Sequence, residues 1–191
     1  VRDQFVAAGE GVGAQLDAYF AAIVVPMYAI GTLAMSLAPC LIPVFLRVRS
    51  TSGPAAARRL AENCLFLALV LSGGVIGAIL LGSQPALGIM LAHAGPSERQ
   101  LAMGLLCELV AMVALASASI VYSALLQAAS HFAAPAISPG AIPLTSLACY
   151  ALGRDALGVH ALALGVTLGY TVELVVLAVA AARAQLLVLP R

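Results

Sequence analysis

Behind Asp17 the chain runs for 29 residues, Ala18 to Leu46, without a formal charge. A helix of that length rises about 43 Å, more than the roughly 30 Å hydrocarbon core of a bilayer. The stretch is therefore predicted to cross a membrane with length to spare. Pro26, Pro39 and Pro43 lie inside it, with Gly31 between them. Each proline removes a backbone donor and bends a helix. In lipid such a break persists only where protein or a water-filled cavity satisfies the freed carbonyl. The stretch reads as a kinked helix beside a cavity, approached past an acid, which is the pattern of a transporter.

The rest of the composition agrees. Hydrophobic residues make up 63% of the chain and charged residues 9%, with a mean hydropathy of +1.08. An ordinary soluble domain, with about a quarter of its residues charged, is excluded. Nine arginines and no lysine stand against eight acids, and no basic tract interleaved with aromatic residues points to nucleic acid. Cys40, Cys64, Cys107 and Cys149 each sit in an apolar run without a CxxC pair. They read as buried small hydrophobes rather than as disulfides or metal ligands. His93, His131 and His160 fall in separate loops or span ends, with no HxxxH or HExxH spacing, and no serine-centred nucleophile elbow is present. Neither an enzyme, a metal site nor a cofactor is indicated.

Taken in order, the chain predicts an all-α polytopic membrane protein, one transmembrane helix bundle over 1–191. No basic n-region precedes a short apolar core, so no signal peptide is expected. Residues 1–16 are expected to be the end of a first helix that begins upstream. Further helices are predicted over 17–46, 63–82, 101–126, 136–153 and 159–182, with a tail over 183–191 that leaves the membrane. A turn-rich basic loop is expected at 47–62 and a second loop at 83–100. Gly73 and Gly77, four apart, have the small-residue spacing that lets helices approach closely. Arg47, Arg49, Arg58, Arg59, Arg183 and Arg191 fall on one side and Arg99 and Arg154 on the other. The first side is then cytoplasmic by the positive-inside rule.

Ionisable residues at membrane depth cost about 2.5–3.5 kcal/mol on insertion scales, so each is a functional candidate. Gly165, Gly169 and Glu173 recur every four residues and share one helix face. Glu173 is either a cavity-lining or proton-coupling acid, or a protonated or hydrogen-bonded packing acid. Glu108 lies about two turns inside its span, within reach of the interface or of a neighbouring helix end. Asp17, at a helix start, is favoured there by the helix dipole and is placed to cap. Arg2 is either an interfacial anchor or a guanidinium at depth, where it would grip a phosphate with two parallel bonds.

Several stretches together resemble one family. Arg2-Asp3, then Asp17-Ala18-Tyr19-Phe20-Ala21-Ala22 and Pro26, is similar to the first two helices of the MurJ/MviN lipid II flippases, relatives of MATE exporters and polysaccharide flippases. Leu125-Leu126-Gln127-Ala128 with His131-Phe132-Ala133-Ala134-Pro135-Ala136 and Pro139 resembles the family's join between helices four and five. Gly158 to Val166 with Gly169 resembles its sixth helix, and Leu187 to Arg191 the sequence just after it. The resemblance covers nearly the whole chain, in order. It implies the N-terminal lobe of a MATE-like transporter fold in the cell's inner membrane, acting with a second lobe of the same protein. The implied activity is alternating-access movement of an undecaprenyl-linked peptidoglycan precursor. Arg2 and Asp17 fall on positions that resemble a cavity arginine and a functionally important acid.

The chain departs from the family pattern at four places. Met27 to Pro43 lacks the family's basic and acidic residues, histidine stands at His131 where arginine is usual, Gly140 to Pro143 lacks the asparagine often found there, and Glu173 replaces a neutral polar residue. These departures keep two alternatives in view, a flippase for another lipid-linked oligosaccharide and a MATE-like cation-coupled exporter with Glu173 or Asp17 at the ion.

Overall fold

Water is missing as a hydrogen-bond partner in lipid, so a chain this apolar must satisfy its backbone internally, and helices do so segment by segment. The computed structural model describes residues 13–91 and 95–190, which contain helices and no strand. α1 spans Ala14–Ser52, α2 Pro54–Met90, α3 Pro96–Leu109, α4 Ala111–Ala128, α5 Ala133–Ile137, α6 Ala141–Leu157 and α7 His160–Arg183. A 3₁₀ turn, Ser138–Gly140, joins α5 to α6. α3 and α4 form one span interrupted at Val110, and α5, the turn and α6 form another. Five helical segments among the described residues are thus long and apolar enough to cross a membrane.

The helices overrun the stretches expected from hydropathy. α1 has 39 residues and α2 has 37, so each rises more than about 55 Å. The loop expected at 47–62 is helical on both sides of Gly53. The one expected at 83–100 is helical to Met90 and again from Pro96. Hydropathy measures membrane depth, whereas helix length is set by where the backbone is broken. Gly53 breaks it with a φ of 85°, a left-handed conformation open to glycine, and Pro54 restarts it at the first helical position. α1 passes through Pro26, Pro39 and Pro43 as one assigned helix. The helix end expected over residues 1–16 lies, up to Val12, outside the described residues, as does His93.

The span Pro96–Ala128 is the centre of the bundle, and the other spans expose most of their apolar surface. Two apolar clusters form around it. At the Asp17 end, Tyr19, Leu87, Leu105, Met112, Tyr150 and Leu162 pack together. At the arginine-rich end, Phe45, Leu65, Val121, Leu125, Leu177 and Val188 do the same. Val188 belongs to the segment after α7, which turns back at Gln185 (φ 58°) instead of leaving the bundle. The Tyr122 hydroxyl donates to the Val188 carbonyl at 2.6 Å and holds the segment there.

α6 and α7 make the most extensive helix pair. They are joined through Gly158 and Val159, with Gly158 at a φ of 54°. A Cβ on Gly165 would lie 2.7 Å from the Ser146 Cα, and one on Gly169 would lie 2.6 Å from the Ile142 Cα. The Thr145 hydroxyl, in this contact, donates to the Gly165 carbonyl at 3.0 Å. By contrast, nothing lies within 4 Å of a Cβ built on Gly73 or Gly77. Close helix approach therefore occurs at Gly165 and Gly169, not at the Gly73/Gly77 pair. The cysteines also depart from expectation: Cys40 and Cys107 are exposed and Cys64 and Cys149 half-buried. A membrane-facing surface is as apolar as a core, so an apolar neighbourhood does not imply burial.

Because backbone rather than a flexible side chain blocks the space, Gly169→Ala should destabilise the protein by about 1–3 kcal/mol. Gly73→Ala should be neutral or slightly stabilising, since it replaces glycine in a helix with open space around it. Thermal unfolding of the two variants in one detergent tests the pair. Equal midpoints would refute this account of the α6–α7 contact.

Candidate functional site

The acids that the sequence singles out lie in three different places. Asp17 is in the first turn of α1, where the N-terminal dipole favours a carboxylate. It does not cap the helix: the cap residue is Gly13, with no side-chain hydrogen bond. Instead Asp17 is exposed and lines a cavity of about 490 Å³ with Phe20, Ala21, Val24, Met90, Leu91 and Glu98. Two carboxylates thus face one opening between α1, the end of α2 and the start of α3. The Arg99 guanidinium donates twice to the Leu91 carbonyl, at 3.1 and 3.0 Å, and so closes the end of α2. Arg2 lies outside the described residues.

Glu108 is near the end of α3 and is engaged with the start of α7. Its Oε1 is 2.8 Å from the His160 Nδ1, with both side chains half-buried. The other carboxylate oxygen is buried without a hydrogen-bond partner. The Thr167 hydroxyl, two turns along α7, donates to the Glu108 backbone carbonyl at 3.2 Å. That bond falls just before the interruption at Val110, where the helical ladder needs support from outside. Glu108 therefore ties α3 to the α7 N-terminus, an electrostatically favourable place for a carboxylate.

Glu173 stands at mid-depth in α7, about 20 Å along the axis from His160 and about 15 Å from Arg183. It is one turn beyond Gly169 on the face that meets α6, and only 9% exposed. Its surroundings are a cavity of about 310 Å³ between α1, α4, the α5–α6 bend and α7. Ile30, Ala34 and Ala38 of α1 line one side, Ser119 and Ser123 of α4 another, and Pro135 and Pro139 the bend. The Tyr170 hydroxyl, also lining it, donates to the Met27 thioether at 3.8 Å. The structure does not bring Asp17, Glu108 and Glu173 into one constellation.

Sequence reasoning missed the partner of Glu108 and the serines around Glu173. His160 is 52 residues from Glu108, and no local pattern links them. Ser119 and Ser123 carried a faint signal, the same four-residue spacing as Gly165, Gly169 and Glu173, which places them on one face of α4.

Five spans, a proline-rich first helix and acids turned to cavities or partners rather than to lipid define a polytopic helical membrane protein of the transporter class. A family model described as Lipid II flippase MurJ matches residues 6–191, and the chain belongs to that family. Movement of lipid II across the membrane is the activity the match carries. No curated protein matches the chain.

The Glu108–His160 contact should be measurable as a coupling. His160→Ala, Glu108→Gln and the double variant, compared in a thermal-unfolding cycle, should show about 1 kcal/mol of interaction, modest because both groups are partly exposed. Strict additivity would show that the pair does not tie the helices.

Proposed function

We propose that this chain forms one helical lobe of a lipid II flippase, and that it moves its substrate by alternating access against a second lobe. The family match over residues 6–191 carries this reading. In it the arginine-rich end, with Arg47, Arg49, Arg58, Arg59 and Arg183, faces the cytoplasm, and the end holding Asp17, Arg99 and Arg154 faces outward. The membrane is then the cytoplasmic, inner membrane.

Arg2 and Asp17 are proposed to contact the head group of the lipid. Arg2 would supply a bidentate grip on pyrophosphate. Asp17, exposed beside an open cavity and without a hydrogen-bond partner among the described residues, is free to accept bonds from sugar hydroxyls or peptide amides. A carboxylate there also repels the pyrophosphate, which biases the sugar-peptide part toward the Asp17 side. A site at the boundary between lobes agrees with how repeat-built transporters bind their substrates.

Rescue of cells depleted of their lipid II flippase tests the reading, using the full-length gene. The wild-type gene should restore growth and surface lipid II. Asp17→Asn should lower flipping on the order of tenfold at equal membrane abundance, the value of one charge-assisted hydrogen bond of about 1.4 kcal/mol. Absence of rescue by a well-expressed wild-type protein would sink the lipid II assignment. Full activity of Asp17→Asn would remove Asp17 from the site.

A further inference from the structure

The Glu173 cavity contains chemistry that head-group recognition does not use. Glu173 is nine-tenths buried, with no hydrogen bond or ion pair to any described residue. Across the cavity, Ser119 is 3% exposed and its hydroxyl has no partner. This is unlike Ser117 two residues before it, whose hydroxyl donates to the Val113 carbonyl at 2.7 Å. Ser123, one turn along α4, accepts a bond from the Gln127 amide at 2.9 Å and keeps a free lone pair. Oxygen acceptors thus line a small cavity from α4 and α7.

Among the described residues no positive charge answers them. The cavity walls on α1, α4, the α5–α6 bend and α7 carry no arginine or histidine, and Tyr170 is the one other titratable group lining it. A carboxylate at this depth is costly to keep ionised and unpaired, which favours uptake of a proton or a counter-ion. The space is too small for a lipid head group, and the donor set is all oxygen, which suits hard, small cations rather than soft metals.

We propose that this cavity is a binding site for one small monovalent cation, a proton or a sodium ion, held by the Glu173 carboxylate together with the Ser119 and Ser123 hydroxyls. With a proton, the carboxylate becomes a carboxylic acid and donates to a serine oxygen, and no other bond changes. With sodium, the carboxylate stays ionised and both hydroxyls point lone pairs at the ion. Either way the bound charge joins α7 to α4 at mid-depth, between the two apolar clusters. The site is independent of the Arg2 and Asp17 reading, and its test measures binding rather than transport.

The full-length protein in lipid nanodiscs is unfolded thermally over a range of pH, in sodium chloride and in choline chloride, as wild type, Glu173→Gln and Ser119→Ala. If the cation is sodium, sodium raises the wild-type midpoint at alkaline pH and choline does not. Ser119→Ala should then need about tenfold more sodium for half the effect, as one ligand is lost. If the cation is a proton, acid raises the midpoint equally in both salts, and Ser119→Ala diminishes that rise. In both cases Glu173→Gln, a neutral amide of the same shape, should be insensitive to sodium and to pH over the range in which the wild type responds. A Glu173→Gln protein that responds like wild type, a wild type that responds to neither ion, or an unaltered Ser119→Ala response would overturn the proposal. Failure of lipid II rescue would leave these outcomes unaffected.

Discussion

Backbone contact between α6 and α7 at Gly165 and Gly169 determines where the polar features of this lobe can lie. Two helices in lipid gain nothing by hiding apolar side chains from water, so close packing and interhelical hydrogen bonds must hold them. Here both are present: glycines that a methyl group would push apart, and the Thr145 hydroxyl donating across to the Gly165 carbonyl. One turn farther along the same face the residue is Glu173, not glycine. There α6 gives way to the Ser138–Gly140 turn. The cavity is the space left when a contact built on small residues meets a large polar one at a proline-rich bend.

The same periodic reasoning shows how far the sequence was legible. Helix number, the all-α class and the placement of Glu173 on a small-residue face followed from charge-free runs and four-residue spacing, because these are local properties of a helix. Helix ends were less legible, since hydropathy falls off at the membrane surface whereas α1 continues to Ser52 until Gly53 interrupts it. Gly73 and Gly77 show the limit of a spacing argument: the pattern allows close approach, but the partner helix must be there, and beside α2 it is not. The cysteines erred for a related reason, as lipid-facing and core-facing surfaces have the same composition. Pairings such as Glu108 with His160 or Tyr122 with Val188 depend on which spans become neighbours, which no short window of sequence encodes.

The three acids also differ in how their charge is accommodated. Asp17 keeps access to solvent at a helix start, and Glu108 meets a histidine at the head of α7. Glu173 is buried and has no counter-charge among the described residues. Depth, more than residue type, separates a carboxylate that waits for a ligand at the mouth from one that braces two helices and one whose burial favours uptake of a positive charge.

α6 packs chiefly on α7, and it offers the two apolar clusters little beyond Tyr150 and Ile142. Ile137, Leu144 and Leu152, along the α5–α6 span, are largely exposed. In terms of local opening, such an element separates at a lower free energy than the central Pro96–Ala128 span, the most buried of the five. The Glu173 cavity is therefore closed on one side by a span that is anchored almost entirely through α7. Its volume becomes the quantity that changes first when the bundle breathes.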